Sequence, residues 1–156
     1  MEYKVQDHLH YAGIASWNKC PVTQDVEGAD IVVMGVPFDS GVTYRPGARF
    51  APRSVREQSF IACCFKYPWP YYLYEEAKVV DYGDVGYWVG ARATEFMVED
   101  TYNTVKKILE AGATPMAIGG DHTIPFGPIR ACSEKFGKLA LLHFDSHQDS
   151  SPSKLN

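Results

Sequence analysis

Four short runs of apolar residues punctuate the chain: 30–36 (DIVVMGV), 78–81 (KVVD), 114–118 (TPMAI) and 138–144 (KLALLHF). They are continuous rather than alternating, as expected of parallel strands covered on both faces. Between the second and third runs, Val98, Tyr102, Val105 and Leu109 recur at helical spacing across 94–111, and Gly112 sits where a left-handed C-terminal cap is wanted. Between the third and fourth, 125–136 reads as another helix, with Pro125 in its first turn and Gly137 just past its end. Strand, helix, strand, helix, strand predicts right-handed crossovers and a parallel sheet.

The remaining stretches read less regularly. Residues 40–52 are loop-like, carrying Gly41, Pro46, Gly47 and Pro52, with a helix starting near Pro52. Residues 66–76 (KYPWPYYLYEE) are aromatic and broken by prolines; rings packing on the core is the plainer reading, a pocket wall or subunit contact the alternative. The polar tail 150–156 is expected to fray. With no repeat and no linker, 1–156 reads as one domain.

Composition narrows the class. In 156 residues, 46% are hydrophobic and 22% charged, which is globular rather than disordered. A net charge of −4 disfavours a nucleic-acid binder and agrees with a cationic substrate. Cys20, Cys63, Cys64 and Cys132 lack CxxC spacing, so reduced, mostly buried thiols are expected, not a zinc or disulfide framework. No apolar run approaches the ~20 residues that cross a bilayer, and the N-terminus has no apolar signal segment. A soluble, cytoplasmic protein without membrane partners is the expectation.

The chemistry gathers at the ends of the last two runs. Gly119-Gly120-Asp121-His122 follows the third, and Asp145-Ser146-His147-Gln148-Asp149 follows the fourth. Taken singly, each residue has a plainer use: Asp121 as a helix cap, Asp145 as a strand terminator. Two clusters that both follow apolar runs and both mix His with carboxylate point instead to a site for a hard or borderline divalent ion. In open α/β sheets such groups meet outside the carboxyl ends of the strands. Fully extended, Asp145 to Asp149 would span ~13 Å at ~3.3 Å per residue. A helix-like turn shortens this to roughly 6 Å, so the loop must curl for both to reach one site. His143, inside an apolar run, reads as structural.

These residues resemble the ureohydrolase family of binuclear manganese hydrolases, in its agmatinase-like branch. The resemblance runs from Ala12-Gly13-Ile14-Ala15 to Asp149. Its most distinctive stretch is Gly35-Val36-Pro37-Phe38-Asp39-Ser40-Gly41 through Arg45-Pro46-Gly47-Ala48-Arg49-Phe50-Ala51-Pro52-Arg53-Ser54-Val55-Arg56. Asp81-Tyr82-Gly83-Asp84 and the GGDH turn also fit, and residues 145–149 resemble the family's DAHxD motif with Ser146 in place of Ala. The resemblance implies a three-layer αβα, arginase/deacetylase-like fold with a mainly parallel sheet, here a partial domain. It also implies two Mn²⁺ ions: His122 and Asp149 on one, His147 on the other, Asp145 bridging. The implied chemistry is hydrolysis of a small cationic guanidino compound, agmatine or 4-guanidinobutyrate, to urea and an amine. Two divalent ions roughly 3.5–4 Å apart can lower the pKa of a shared water from ~15.7 towards neutrality.

The resemblance covers the family's N-terminal half. A second half would bring a further Asp-x-Asp ligand pair, a proton-transfer histidine and a guanidinium-orienting glutamate, so no catalytic residue is assigned in this chain. Charge gives the same answer. Two Mn²⁺ bring +4 against −2 from Asp145 and Asp149, and no Asp or Glu follows Asp149. Half a parallel sheet would also leave 138–144 as an apolar edge inviting a partner. Two readings follow: an agmatinase-type amidinohydrolase forming homo-oligomers, or a catalytically inactive short homologue that binds and regulates a full-length relative.

Overall fold

The computed structural model describes residues 6, 9, 11–62, 70–147 and 149. Cys63 and Cys64, the first part of the aromatic segment, and the tail 150–156 lie outside the described residues. Three strands, β1 (Ile31–Val36), β2 (Val79–Asp84) and β3 (Thr114–Gly119), form a sheet of order β2-β1-β3. Both pairings are parallel. β1 and β3 run in unbroken register from Ile31 opposite Thr114 to Val36 opposite Gly119. β1 and β2 pair Ile31 with Val79 and Gly35 with Asp84, with an irregularity between Val33 and Gly35. Past that irregularity β2 runs three residues beyond the predicted end at Asp81, and its last residue, Asp84, still lies opposite Gly35.

Helices cover both faces: α1 (Ala51–Ala62), the single turn α2 (Leu73–Glu76), α3 (Ala93–Glu110) and α4 (Phe126–Phe136). Strand alternation sorts the side chains of β1 between the two faces. Val32, Met34 and Val36 enter a core with Val105 and Ile108 of α3 and Ala131 of α4. Val33 turns the other way, joining Cys20, Val79 and Ile118, with Trp17, Leu73 and Tyr74 packed alongside. The three-layer αβα architecture is the one anticipated. Where described, the aromatic segment divides: Tyr74 packs beside the core and donates its hydroxyl hydrogen bond to the Asn18 carbonyl, while Tyr71 and Tyr72 are exposed. At the end of α3, Gly112 takes φ 81° while its N–H donates to Leu109 O at 3.1 Å, the left-handed cap its position predicted.

A buried ion-pair network pins α1 to β2. Arg56 donates from Nε to Asp81 Oδ2 at 2.7 Å and from Nη2 to Asp81 Oδ1 at 2.9 Å, while Nη1 reaches Asp84 Oδ1 at 2.5 Å. Asp81 also accepts from the backbone N–H groups of Trp17 and Gly83. Its own N–H and C=O bond Pro21 and Thr23, so the segment before β1 covers the outer edge of β2. Burial opposes the charge on Arg56, but the hydrogen bonds to Asp81 and Asp84 together outweigh it, and the guanidinium pKa rises.

The fourth run departs from expectation. Residues 139–144 form no ladder with β3 or with any other described strand, and Leu141, Leu142 and Phe144 are 72%, 79% and 88% exposed. A continuous apolar run encodes burial on both faces only when elements are present to supply both covers. Among the described residues β3 pairs with β1 alone, and Met116 on β3 is itself exposed. Leu139, Ala140 and Leu141 instead line an apolar groove with Val105, Ile129, Cys132 and Phe136. Among the described residues, no helix is long and apolar enough to cross a membrane.

Candidate metal centre

The carboxyl ends of β1 and β3 open onto one rim, which two turns build. After β1, residues 37–47 fold back on Asp39, whose side chain accepts from the Gly47 N–H at 2.7 Å and from Arg49 Nε at 2.6 Å. Arg49 lowers the Asp39 pKa to about 2, against the opposing effect of burial and with help from the Gly47 and Arg49 amides. After β3, the GGDH turn packs against the same loop. The Asp121 N–H donates to Phe38 O at 2.8 Å, and the Asp121 carboxylate accepts from Gly41 N–H at 2.7 Å and Thr123 N–H at 2.8 Å. Asp121 thus stitches the two turns together and fixes the backbone that carries His122. Gly120 is required here for space, since a Cβ at that position would fall on the Phe38 carbonyl.

His122 then meets the stretch 143–149. Its Nδ1 lies 2.6 Å from Asp149 Oδ2 and 3.6 Å from Asp145 Oδ2. The loop does curl: Asp149 adopts φ 48°, and the ligand atoms of Asp145 and Asp149 fall in one group with those of His122 and His143, all within 4.8 Å of one another. His147 stands apart from that group. Its ring is 81% exposed, with Nδ1 3.4 Å from Asp145 Oδ1, while its backbone N–H donates to the same oxygen at 2.8 Å. That backbone bond is the first cause of the lowered Asp145 pKa; burial opposes it, and the His122, His147 and His143 imidazoles add to it.

His143 is the residue that sequence reasoning misplaced. It is not in a buried strand, because 139–144 is uncovered. Its Nε2 lies 3.9 Å from Asp145 Oδ2, and its ring centroid is 5.2 Å from that of His122. The signal available in the sequence was that His143 stands two residues before Asp145.

Fold and rim together define a three-layer αβα protein with imidazoles and carboxylates clustered beyond its strand ends. The chain belongs to the arginase family, a family of ureohydrolases, whose profile matches residues 29–156. It is 40% identical over 152 residues to an agmatinase of Chromobacterium violaceum, covering 94% of this chain and 47% of that protein. The human mitochondrial guanidino acid hydrolase is 35% identical over 143 residues, with 92% and 40% covered. Among solved structures, a hypothetical agmatinase from Burkholderia thailandensis superposes with TM-score 0.84 at 35% identity, over 93% of this chain and 46% of that one. The chain spans about half the length of the curated relatives it matches.

Proposed function

We propose that this chain supplies the metal-binding half of an agmatinase-type ureohydrolase, acting on a guanidino compound such as agmatine or 4-guanidinobutyrate to give urea and an amine. The observation that carries this reading is the convergence of His122, Asp145 and Asp149 at one rim, on a chain similar throughout to agmatinases. The arginase family typically holds two Mn²⁺ ions. The donors fit that chemistry: imidazole nitrogen and carboxylate oxygen suit borderline divalent ions, and they lie close enough to share one. By resemblance, His122, Asp145, His147 and Asp149 would hold the pair. Bound there, the metal would supply a water of lowered pKa.

This chain's own residues do the rest of what can be assigned. Asp121 orients the turn bearing His122, and Asp145 and Asp149 set a negative field that favours a guanidinium approaching the rim. The test is urea release with Mn²⁺ from agmatine and 4-guanidinobutyrate, using this chain fused to the C-terminal half of the Chromobacterium agmatinase. Turnover that vanishes in Asp145→Asn is expected; a well-folded fusion inert on every guanidino compound would remove the enzyme reading. A cytoplasmic location and homo-oligomers belong to the same proposal.

A second reading is favoured by the uncovered run 139–144 and the outer edge of β3. In it, the chain is a non-catalytic partner that docks on a full-length homologue. Co-expression followed by size-exclusion chromatography checks it, and complete failure to co-elute counts against it.

A further inference from the structure

We propose that Trp88 is a positioning residue for the rim: its indole, tethered to α3, bears on Phe38 and holds the Phe38 carbonyl where it fixes the turn carrying His122. The purpose of that turn rests on the ureohydrolase reading above, but the link itself is built from contacts that need no metal. Trp88 lies in the loop after β2, between Tyr87 and Val89, which are 87% and 77% exposed, yet it is itself 9% exposed. The loop folds over its own indole. Val85 donates its N–H to Gly35 O at 2.9 Å, and a Cβ on Gly86 would stand 3.0 Å from the ring.

From there the contacts run in series. Trp88 donates from Nε1 to Asp100 Oδ2 at 2.6 Å, which ties the ring to α3. The indole meets the Phe38 ring edge to face, with centroids 6.2 Å apart and planes at 71°. Phe38 is buried, and its carbonyl accepts the Asp121 N–H at 2.8 Å. Gly120 stands so close that a Cβ there would meet the Phe38 backbone. Phe38 follows the central strand of the order β2-β1-β3, so the loop after β2 meets the turn after β3 through it. Holding the ring resists rotation of the Phe38 peptide and keeps its carbonyl aimed at Asp121, whose neighbour is His122. A tryptophan that only filled the core would support the whole domain alike; this one bears on a single peptide.

Hydrogen exchange at the Asp121 amide in the ¹⁵N-labelled 156-residue chain, without metal, reads the link. Trp88→Leu keeps apolar bulk but loses the aromatic edge and the N–H, and should speed exchange at Asp121 by roughly tenfold or more. Trp88→Phe keeps a ring against Phe38 and should stay within roughly threefold of wild type. Arg56→Ala weakens the fold from α1, away from these rings, and should leave the Asp121 amide within the same limit. Should Trp88→Leu not fold, Asp100→Ala takes its place, because it frees the tether with the indole present; exchange should then rise by roughly threefold or more. An Asp121 amide unmoved by the variant that stands, moved as far by Arg56→Ala, or left as unprotected by Trp88→Phe as by Trp88→Leu would overturn the proposal. Neither metal nor turnover enters this measurement, so the ureohydrolase reading is judged separately, by urea release from the fusion.

Discussion

Replacing Arg56 by Ala removes the cation that joins α1 to β2 through Asp81 and Asp84, and the structure sets the size of the effect. The Arg56 side chain is 8% exposed and that of Asp81 1%, so the substitution strands a buried carboxylate. Breaking a buried pair by removing one partner costs about 3–5 kcal/mol. The Trp17 and Gly83 amides still bond Asp81 after the change, which places the expected loss near the lower end, about 3 kcal/mol. With a urea m-value of about 2 kcal/mol/M, the far-UV CD midpoint should fall by about 1.5 M. Arg53→Ala is the control, because Arg53 pairs with Glu57 on the exposed face of the same helix, where such pairs contribute at most about 1 kcal/mol. If the midpoints of the two variants fall by the same small amount, the network does not hold α1 to the sheet as argued.

Further outcomes follow from the same geometry. The folded pKa of Asp39 is about 2 against an ordinary 3.8, so its contribution to stability is complete above about pH 4 and is lost as pH falls through about 2. Carboxyl NMR should find its midpoint near 2, and a midpoint at 3.8 or above would refute the Arg49 contact. Burial first, then the charge of Asp81, pushes the Cys20 thiol up to about 12, so Ellman's reagent at pH 8 should modify it only on unfolding; rapid labelling of Cys20 in the native protein would contradict its burial. Gly120→Ala drives a Cβ into the Phe38 carbonyl and should cost about 1–3 kcal/mol, seen as a lowered Tm by differential scanning fluorimetry. An unchanged Tm would mean that the two turns are not in the close contact described.

The elements whose covers lie within the chain were legible in its pattern. β1 was readable because the chain itself supplies α1 on one face and α3 with α4 on the other, and Gly112 marked where α3 stops. Residues 138–144 are a largely apolar run as β1 is, but Leu141, Leu142 and Phe144 find no cover among the described residues, and hydrophobicity records only the need for one. His143, expected within a buried strand, lies instead on that uncovered stretch, 3.9 Å from Asp145. The Arg56 network could not be read locally at all. Arg56 and Asp81 are 25 residues apart, and only the parallel order β2-β1-β3 beneath α1 brings them together.

That topology also bears on why the proposed metal reading falls on Asp145 and Asp149 rather than on the other carboxylates near the strand ends. Asp39, Asp84 and Asp121 lie at or just beyond strand ends and Asp81 within β2, yet each is already engaged: Asp39 by Arg49 and the Gly47 amide, Asp81 and Asp84 by Arg56, Asp121 by the amides of Gly41 and Thr123. Their lone pairs hold the scaffold. Asp149, and Asp145 beyond the one bond it accepts from the His147 amide, are faced by imidazoles, which compensate a carboxylate fully only when protonated. Under the proposed function, a divalent ion would satisfy the nitrogens and the oxygens at once. In that reading, the carboxylates the fold has tied down matter as much as the two beside the histidines, because they are the ones a cation would not find free.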